Sequence, residues 1–162
     1  MTVTNVERDT EAKTMTITAE FDAPVDRVWQ LWEDPRQLER WWGPPTWPAT
    51  FEQHDVVVGG RSSYYMTGPD GEKSHGWWRF LVIDEPHSLE FEDGFADEAG
   101  VPDPSMPTIR ARVELQETAD GTRMTVTSRF ATLEQMEQLV TMGMAEGMTL
   151  AMGQIDQILA AA

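Results

Sequence analysis

Cysteine is absent from the 162 residues, which excludes disulfides, thiolate nucleophiles, thiolate metal sites and thiol redox switching together. Basic residues are scarce. Twelve Lys and Arg stand against 28 Asp and Glu, and the formal charge of −16 repels nucleic-acid phosphate and anionic lipid surfaces, so no nucleic-acid partner is expected. No apolar run approaches the roughly 20 residues that span a bilayer, and no membrane insertion is expected. The opening MTVTNVERDTEAK has neither the basic nor the apolar segment of a secretory signal, which makes the cytoplasm the expected location. Residues 1–13 read as a flexible N-terminal segment and residues 14–160 as a single domain, long enough to bury a core without disulfides or metal.

Several motifs that carry chemistry are missing as well. No Gly-rich loop follows a strand and opens a helix, so dinucleotide and P-loop sites are excluded. There is no GxSxG nucleophile elbow. His54, His75 and His87 lie on different segments with no spacing to unite them as ligands, so neither a metal nor a cofactor is expected.

What is present is patterning. Thr14 to Phe21 alternates, with Met15, Ile17, Ala19 and Phe21 on one face, as a half-buried strand does. Asp22-Ala23-Pro24 opens a helix whose Val25, Val28, Trp29 and Trp32 form an apolar stripe. Asp34 is the expected N-cap of a second short helix, with Pro35 after it and Leu38 and Trp41 or Trp42 as inward anchors. Gly43-Pro44-Pro45 ends that helix, because it offers neither helix formers nor the amide hydrogens to continue. Phe51 to Val58 is expected to be a strand ending at Gly59-Gly60. An antiparallel meander then follows, with turns at Gly68-Pro69-Asp70-Gly71 and Ala119-Asp120-Gly121-Thr122. Its clearest strands carry Ile109, Ala111, Val113 and Leu115, then Met124, Val126 and Phe130, on their apolar faces. The Gly-, Pro- and Asp-rich stretch from Asp93 to Pro107 is too long for a turn and reads as a surface excursion.

Thr132 caps a helix expected to run unbroken from Leu133 to Leu159. Steps of 100° place Leu133, Met136, Val140, Gly143, Met144, Gly147, Met148, Ala151, Ile155 and Ile158 on one face. Two glycines inside a helix each cost about 1 kcal/mol relative to alanine, and Gln154 falls within the apolar arc, so this face calls for more than ordinary packing. The order strand, two short helices, six strands, one long helix argues for an α+β fold: a curved antiparallel sheet wrapped around the C-terminal helix.

In this order the motifs APVDRVWQLWEDP (Ala23 to Pro35), LERWWGP (Leu38 to Pro44), DVVVGG (Asp55 to Gly60) and MTGPDG (Met66 to Gly71) resemble a known family. So do VIDEPHSLEFE (Val82 to Glu92), GTRMTVTS (Gly121 to Ser128) and the closing MGMAEGMTLAMGQIDQIL. The resemblance is to the START-like (SRPBCC) superfamily and, within it, to the C-terminal domain of the activator of heat-shock-protein-90 ATPase. It implies the helix-grip, Bet v 1-like fold with a hydrophobic cavity between helix and sheet. Members of the superfamily range from lipid and hormone binders through polyketide cyclases to chaperone activators. Many relatives have an aromatic residue where this chain has Ser62 and a tryptophan where it has Met148, changes that alter pocket shape.

Three functions follow as alternatives. The first is binding of a small hydrophobic or aromatic molecule, lipid- or polyketide-like, by a monomer or homodimer. The second is a cyclase, dehydratase or hydrolase acting in the same cavity. The third is a chaperone ATPase-activating module. The expected cavity wall comprises Trp42 and Trp47 near the entrance, and Ser62, Tyr64 and Met66, which share a face by period two. One of Trp77 and Trp78, with Trp78 preferred, joins them, as do Met136, Val140, Gly143, Met144, Gly147, Met148, Ala151 and Gln154 of the last helix. Flexible thioethers suit an adaptable pocket, small residues make room, and a lone amide can orient a ligand. For chemistry, the ionisable strand residues Asp55, His75, Arg79, Glu90 and Glu92 can face either way, since one residue of register decides.

Overall fold

The structure, a computed structural model, describes residues 3–160. Eight strands form one antiparallel sheet: β1 (Val3–Asp9), β2 (Thr14–Phe21), β3 (Ala49–His54), β4 (Arg61–Thr67), β5 (Lys73–Asp84), β6 (Ser88–Ala96), β7 (Ile109–Glu117) and β8 (Thr122–Arg129). They lie in the order β1-β2-β8-β7-β6-β5-β4-β3. Helices α1 (Val25–Glu33) and α2 (Pro35–Leu38) carry the chain from the β2 side to the far edge at β3. Three helices close the chain: α3 (Leu133–Thr141), α4 (Met144–Met152) and α5 (Ile155–Ala160).

Period-two alternation decides which face is filled. Met15, Ile17, Ala19 and Phe21 of β2 are buried, as are Ile109, Ala111, Val113 and Leu115 of β7 and Met124 and Val126 of β8. Arg110, Arg112 and Glu114 point to solvent between them. Each fully buried aliphatic or aromatic side chain contributes about 1.5–3 kcal/mol, so the sheet holds because all these faces meet one core. Into that core α1 presses Val28, Trp29, Leu31 and Trp32, and α2 is started by Asp34, whose carboxylate accepts from the Arg36 amide at 2.9 Å. Trp41 is wholly buried and donates its indole N–H to the Leu31 carbonyl at 3.0 Å, which locks the chain after α2 against α1.

The structure corrects three sequence expectations. Val3–Asp9 pairs with β2 from Val3↔Ala19 to Asp9↔Thr14, so the first segment is an edge strand rather than a flexible arm. It was hard to see because six of its seven residues are exposed and it lacks an apolar face.

The strand expected to run to Val58 stops at His54. A bulge between Phe51 and Gln53 shifts its register, and the His54 ring turns inward to bridge Ser62 Oγ and the Trp32 carbonyl, both at 2.7 Å. The apolar run that suggested a longer strand is a turn in which Val57 and Val58 are 60% and 68% exposed.

The long C-terminal helix is broken twice. Gly143 adopts φ +93°, a left-handed conformation that ends α3 and resets the phase of everything after it. No single arc therefore spans both helices, and within α3 Leu133 is 39% exposed while Leu139, outside the expected arc, is buried. The second break follows Met152, where the Gln154 side chain donates to the Gly43 carbonyl at 2.8 Å and ties the helix to the turn after Trp42.

Candidate functional site

Between the sheet and the helices lies an apolar cavity of about 310 Å³. Tyr64 and Met66 of β4, Gly76 of β5, Phe95 of β6, Ile109 and Ala111 of β7 and Val126 of β8 form its sheet wall. The opposite wall is Leu139 of α3, the Met142-Gly143 joint, and Met144, Gly147, Met148, Ala151 and Met152 of α4. Trp41, Trp42 and Pro44 close one end, and Pro107 stands at the wall where the 97–108 excursion returns to β7. A side-chain carbon added at Gly147 would meet nothing within 4 Å, so this glycine leaves open space that a larger residue would fill.

Of the sequence-predicted wall, the fold brings together Trp42, Tyr64, Met66, Gly143, Met144, Gly147, Met148 and Ala151. The others lie elsewhere. Trp78 faces inward but is buried in the aromatic core, stacked on Phe91 at 4.1 Å, while Trp77 lies on the other face against Gly94. Ser62 points inward and is taken up by His54. Met136 and Val140 pack on the core beneath α3. Trp47 sits over the turn at Gly68, where a Cβ would strike its ring. Gln154 spends its amide on the carbonyls of Gly43, Trp41 and Ala151, at 2.8, 3.4 and 3.3 Å, so its role is to hold the loop rather than a ligand.

Register also settles the ionisable candidates. Asp55 and Arg79 are exposed. Glu90 and Glu92 alternate with the buried Leu89 and Phe91 and so belong to the outer face, where Glu90 pairs with Arg110 at 3.3 Å and Arg112 at 3.0 Å. His75 borders the cavity, but its ring lies against Tyr65, which alternates with the inward Tyr64. Among the described residues no cluster of three His, Cys, Asp or Glu is placed to hold a metal.

The carboxyl group that enters the wall is that of Asp93. Sequence reasoning missed it because Asp93-Gly94 looks like the start of a loop, yet it continues the inward register Leu89, Phe91, Asp93. Tyr64 reaches it from two strands away. Tyr64 pairs in register with Gly76, and a Cβ there would lie 2.4 Å from the phenol ring, so glycine lets the ring lie flat across β5. The Tyr64 hydroxyl then donates to Asp93 Oδ1 at 3.1 Å.

Burial pushes the Asp93 carboxyl up to about 7, against the opposing pull of the Tyr64 hydroxyl and the Trp78 indole. Burial and the neighbouring carboxylate push the Tyr64 phenol well above its ordinary range. Asp93 retains partial accessibility because it borders the cavity. Two indole N–H groups, those of Trp42 and Trp78, lie close enough to the Tyr64 oxygen to favour its ionised form but outside hydrogen-bonding geometry. Both are buried without an acceptor.

An eight-stranded antiparallel sheet gripping C-terminal helices around an apolar cavity defines a START-like, helix-grip protein. The sequence pattern of the family described as Activator of Hsp90 ATPase homolog 1-like protein matches residues 22–160, and the chain belongs to that family. A solution structure of a protein from Arthrobacter aurescens is 56% identical, with a TM-score of 0.95 over 99% of this chain and 94% of that one. A crystal structure of a protein from Mycobacterium smegmatis is 49% identical, with a TM-score of 0.91 over 99% and 98%. A Staphylococcus epidermidis protein, at 26% identity, keeps a TM-score of 0.85 over 98% and 94%. No curated protein matches the chain.

Proposed function

We propose that this protein binds a small hydrophobic or aromatic molecule in the cavity between the sheet and α3–α4. The cavity itself carries this reading. Its volume of about 310 Å³ is in the range of small-molecule sites, and Met66, Met144, Met148 and Met152 give it walls that adapt to shape. A packed core would use the space at Gly147, and here it is left open. The binder is read as a cytoplasmic monomer or homodimer.

The test is a thermal-shift and tryptophan-fluorescence screen of lipids and aromatic polyketides on the whole chain. A ligand at a hundred times its Kd should stabilise the fold by about 2.7 kcal/mol, and Gly147→Phe, which fills the cavity, should abolish the shift while leaving the circular dichroism unchanged. A broad screen with no shift, or a shift that survives Gly147→Phe, would sink the reading.

Asp93 supports a second reading, acid–base chemistry of the cyclase, dehydratase or hydrolase kind on the bound molecule. It expects turnover of such a ligand to fall by a factor of about 10²–10⁴ in Asp93→Asn with binding retained. Unchanged turnover would remove it.

A further inference from the structure

The end of the cavity near Trp42 is unlike the rest of the wall. Three polar side chains of the wall converge there, the Trp42 indole after α2, Tyr64 of β4 and Asp93 of β6, with the Trp78 indole of β5 buried behind them. Among these groups, the bond from Tyr64 to Asp93 at 3.1 Å has proper geometry. Both indole N–H groups are buried and unpaired, and a buried donor left without an acceptor is destabilising. A packed core rarely keeps two such donors side by side.

We propose that this end of the cavity is a recognition subsite for a hydrogen-bond acceptor, a neutral carbonyl oxygen carried on the apolar body of the ligand. The inference rests on the cavity reading above and names the chemical class that the cavity selects.

Donor arithmetic gives the direction. Up to about pH 7 burial holds Asp93 as a carboxylic acid, so the group offers two indole N–H, one phenol O–H and one carboxyl O–H donor. Its acceptors are the Asp93 carbonyl oxygen and the Tyr64 hydroxyl oxygen. The oxygen lone pairs equal these donors in number, yet the Trp42 and Trp78 N–H reach none of them, and an incoming carbonyl oxygen supplies the acceptor that the Trp42 N–H at the wall lacks. A ligand donor would leave that N–H unpaired. Most of the remaining wall is aliphatic, aromatic, thioether or glycine, with Ser74, His75 and Ser128 its polar members, so the body of the ligand is largely apolar.

Gly76 is a positioning residue in this scheme. With a side chain at position 76 the Tyr64 ring could not cross β5 to the carboxyl, so the subsite depends on β5 carrying glycine at that register.

The test uses three shape-matched probes: 2-acetylnaphthalene, 2-isopropylnaphthalene and 1-(2-naphthyl)ethylamine. Binding to the full chain at pH 6 is measured by tryptophan-fluorescence titration and calorimetry. The ketone should bind about tenfold more tightly than the hydrocarbon, the difference one hydrogen bond of about 1.4 kcal/mol makes. Trp42→Phe removes the unpaired N–H and should bring the ketone-to-hydrocarbon affinity ratio towards one, a ratio in which any change to the apolar wall cancels. Hydrocarbon binding that persists in the variant shows that it is folded.

Equal affinity of wild-type protein for ketone and hydrocarbon overturns the subsite and leaves the cavity reading standing. Tighter binding of the amine than of the ketone overturns it in favour of a carboxylate that captures cations. Failure of all three probes and of the broader screen removes the cavity reading along with it.

Discussion

A carboxyl enclosed by indole and phenol rings titrates far from where a solvated one does, and Asp93 gives this protein a pH dependence of its own. Its folded value of about 7 lies above its ordinary value of 3.8, so its stabilising protonated form is fully present below pH 3.8 and is lost as pH rises through 7. The shift corresponds to a penalty of roughly 2–4 kcal/mol at pH 8. Asp93→Asn cannot ionise and can still accept from Tyr64, so in urea unfolding it should match the wild type near pH 4 and exceed it by about that amount at pH 8. A gap independent of pH would refute the assignment.

His54 works in the opposite sense. Burial lowers its pKa, and the neutral ring carries its proton on Nε2, since the Trp32 carbonyl can only accept. Its contribution is present above the ordinary value of 6.5 and is lost as pH falls through the lowered one. Ser62→Ala leaves Nδ1 without its partner and should lower the unfolding free energy by about 1–2 kcal/mol at pH 7.5, measured by urea denaturation. The alternation along Ser62, Tyr64 and Met66 made their inward face legible in the sequence. That a histidine eight residues earlier would claim the serine was not legible, because the contact depends on a bulge that no local pattern encodes.

Elements were legible where one periodicity ran without interruption. β2, β7 and β8 matched their alternation, and α1 its apolar stripe, because each repeats a single rule against one core. The C-terminal helix shows where such reasoning fails. Gly143 and Gly147 look alike in sequence, yet Gly143 is left-handed and Gly147 sits within α4. The two should therefore respond to alanine with opposite signs. Gly143→Ala forces an L side chain into the left-handed region and should destabilise by about 1–2 kcal/mol although it meets no neighbour. Gly147→Ala should stabilise by up to about 1 kcal/mol through helix propensity while narrowing the cavity. Thermal denaturation of the pair checks both, and equal effects would mean that the helix is continuous.

For the whole molecule, the charge of −16 exerts an influence that no single contact reveals. Self-repulsion of that size weakens the compact state, and raising NaCl from about 0.01 to 1 M shortens the screening length from about 30 to 3 Å. The melting temperature should rise by several degrees across that range; a fall would show that the ion pairs of Glu90 with Arg110 and Arg112 outweigh the global repulsion. Fold class was legible at this scale because element order and motif order agree, while the cavity's polar end was legible only in part: Trp42 and Tyr64 were expected at the wall, but Asp93 was read as the start of a loop. The sheet is open, with β1 at one margin and β3 at the other. An unpaired margin is where a second molecule could add a strand and begin an aggregate. Glu7, Arg8 and Asp9 on β1 would have to shed their water to allow it, and the bulge in β3 spoils the straight edge such growth requires. The weakly patterned segment read as flexible in sequence thus gives the sheet a charged margin that disfavours strand addition.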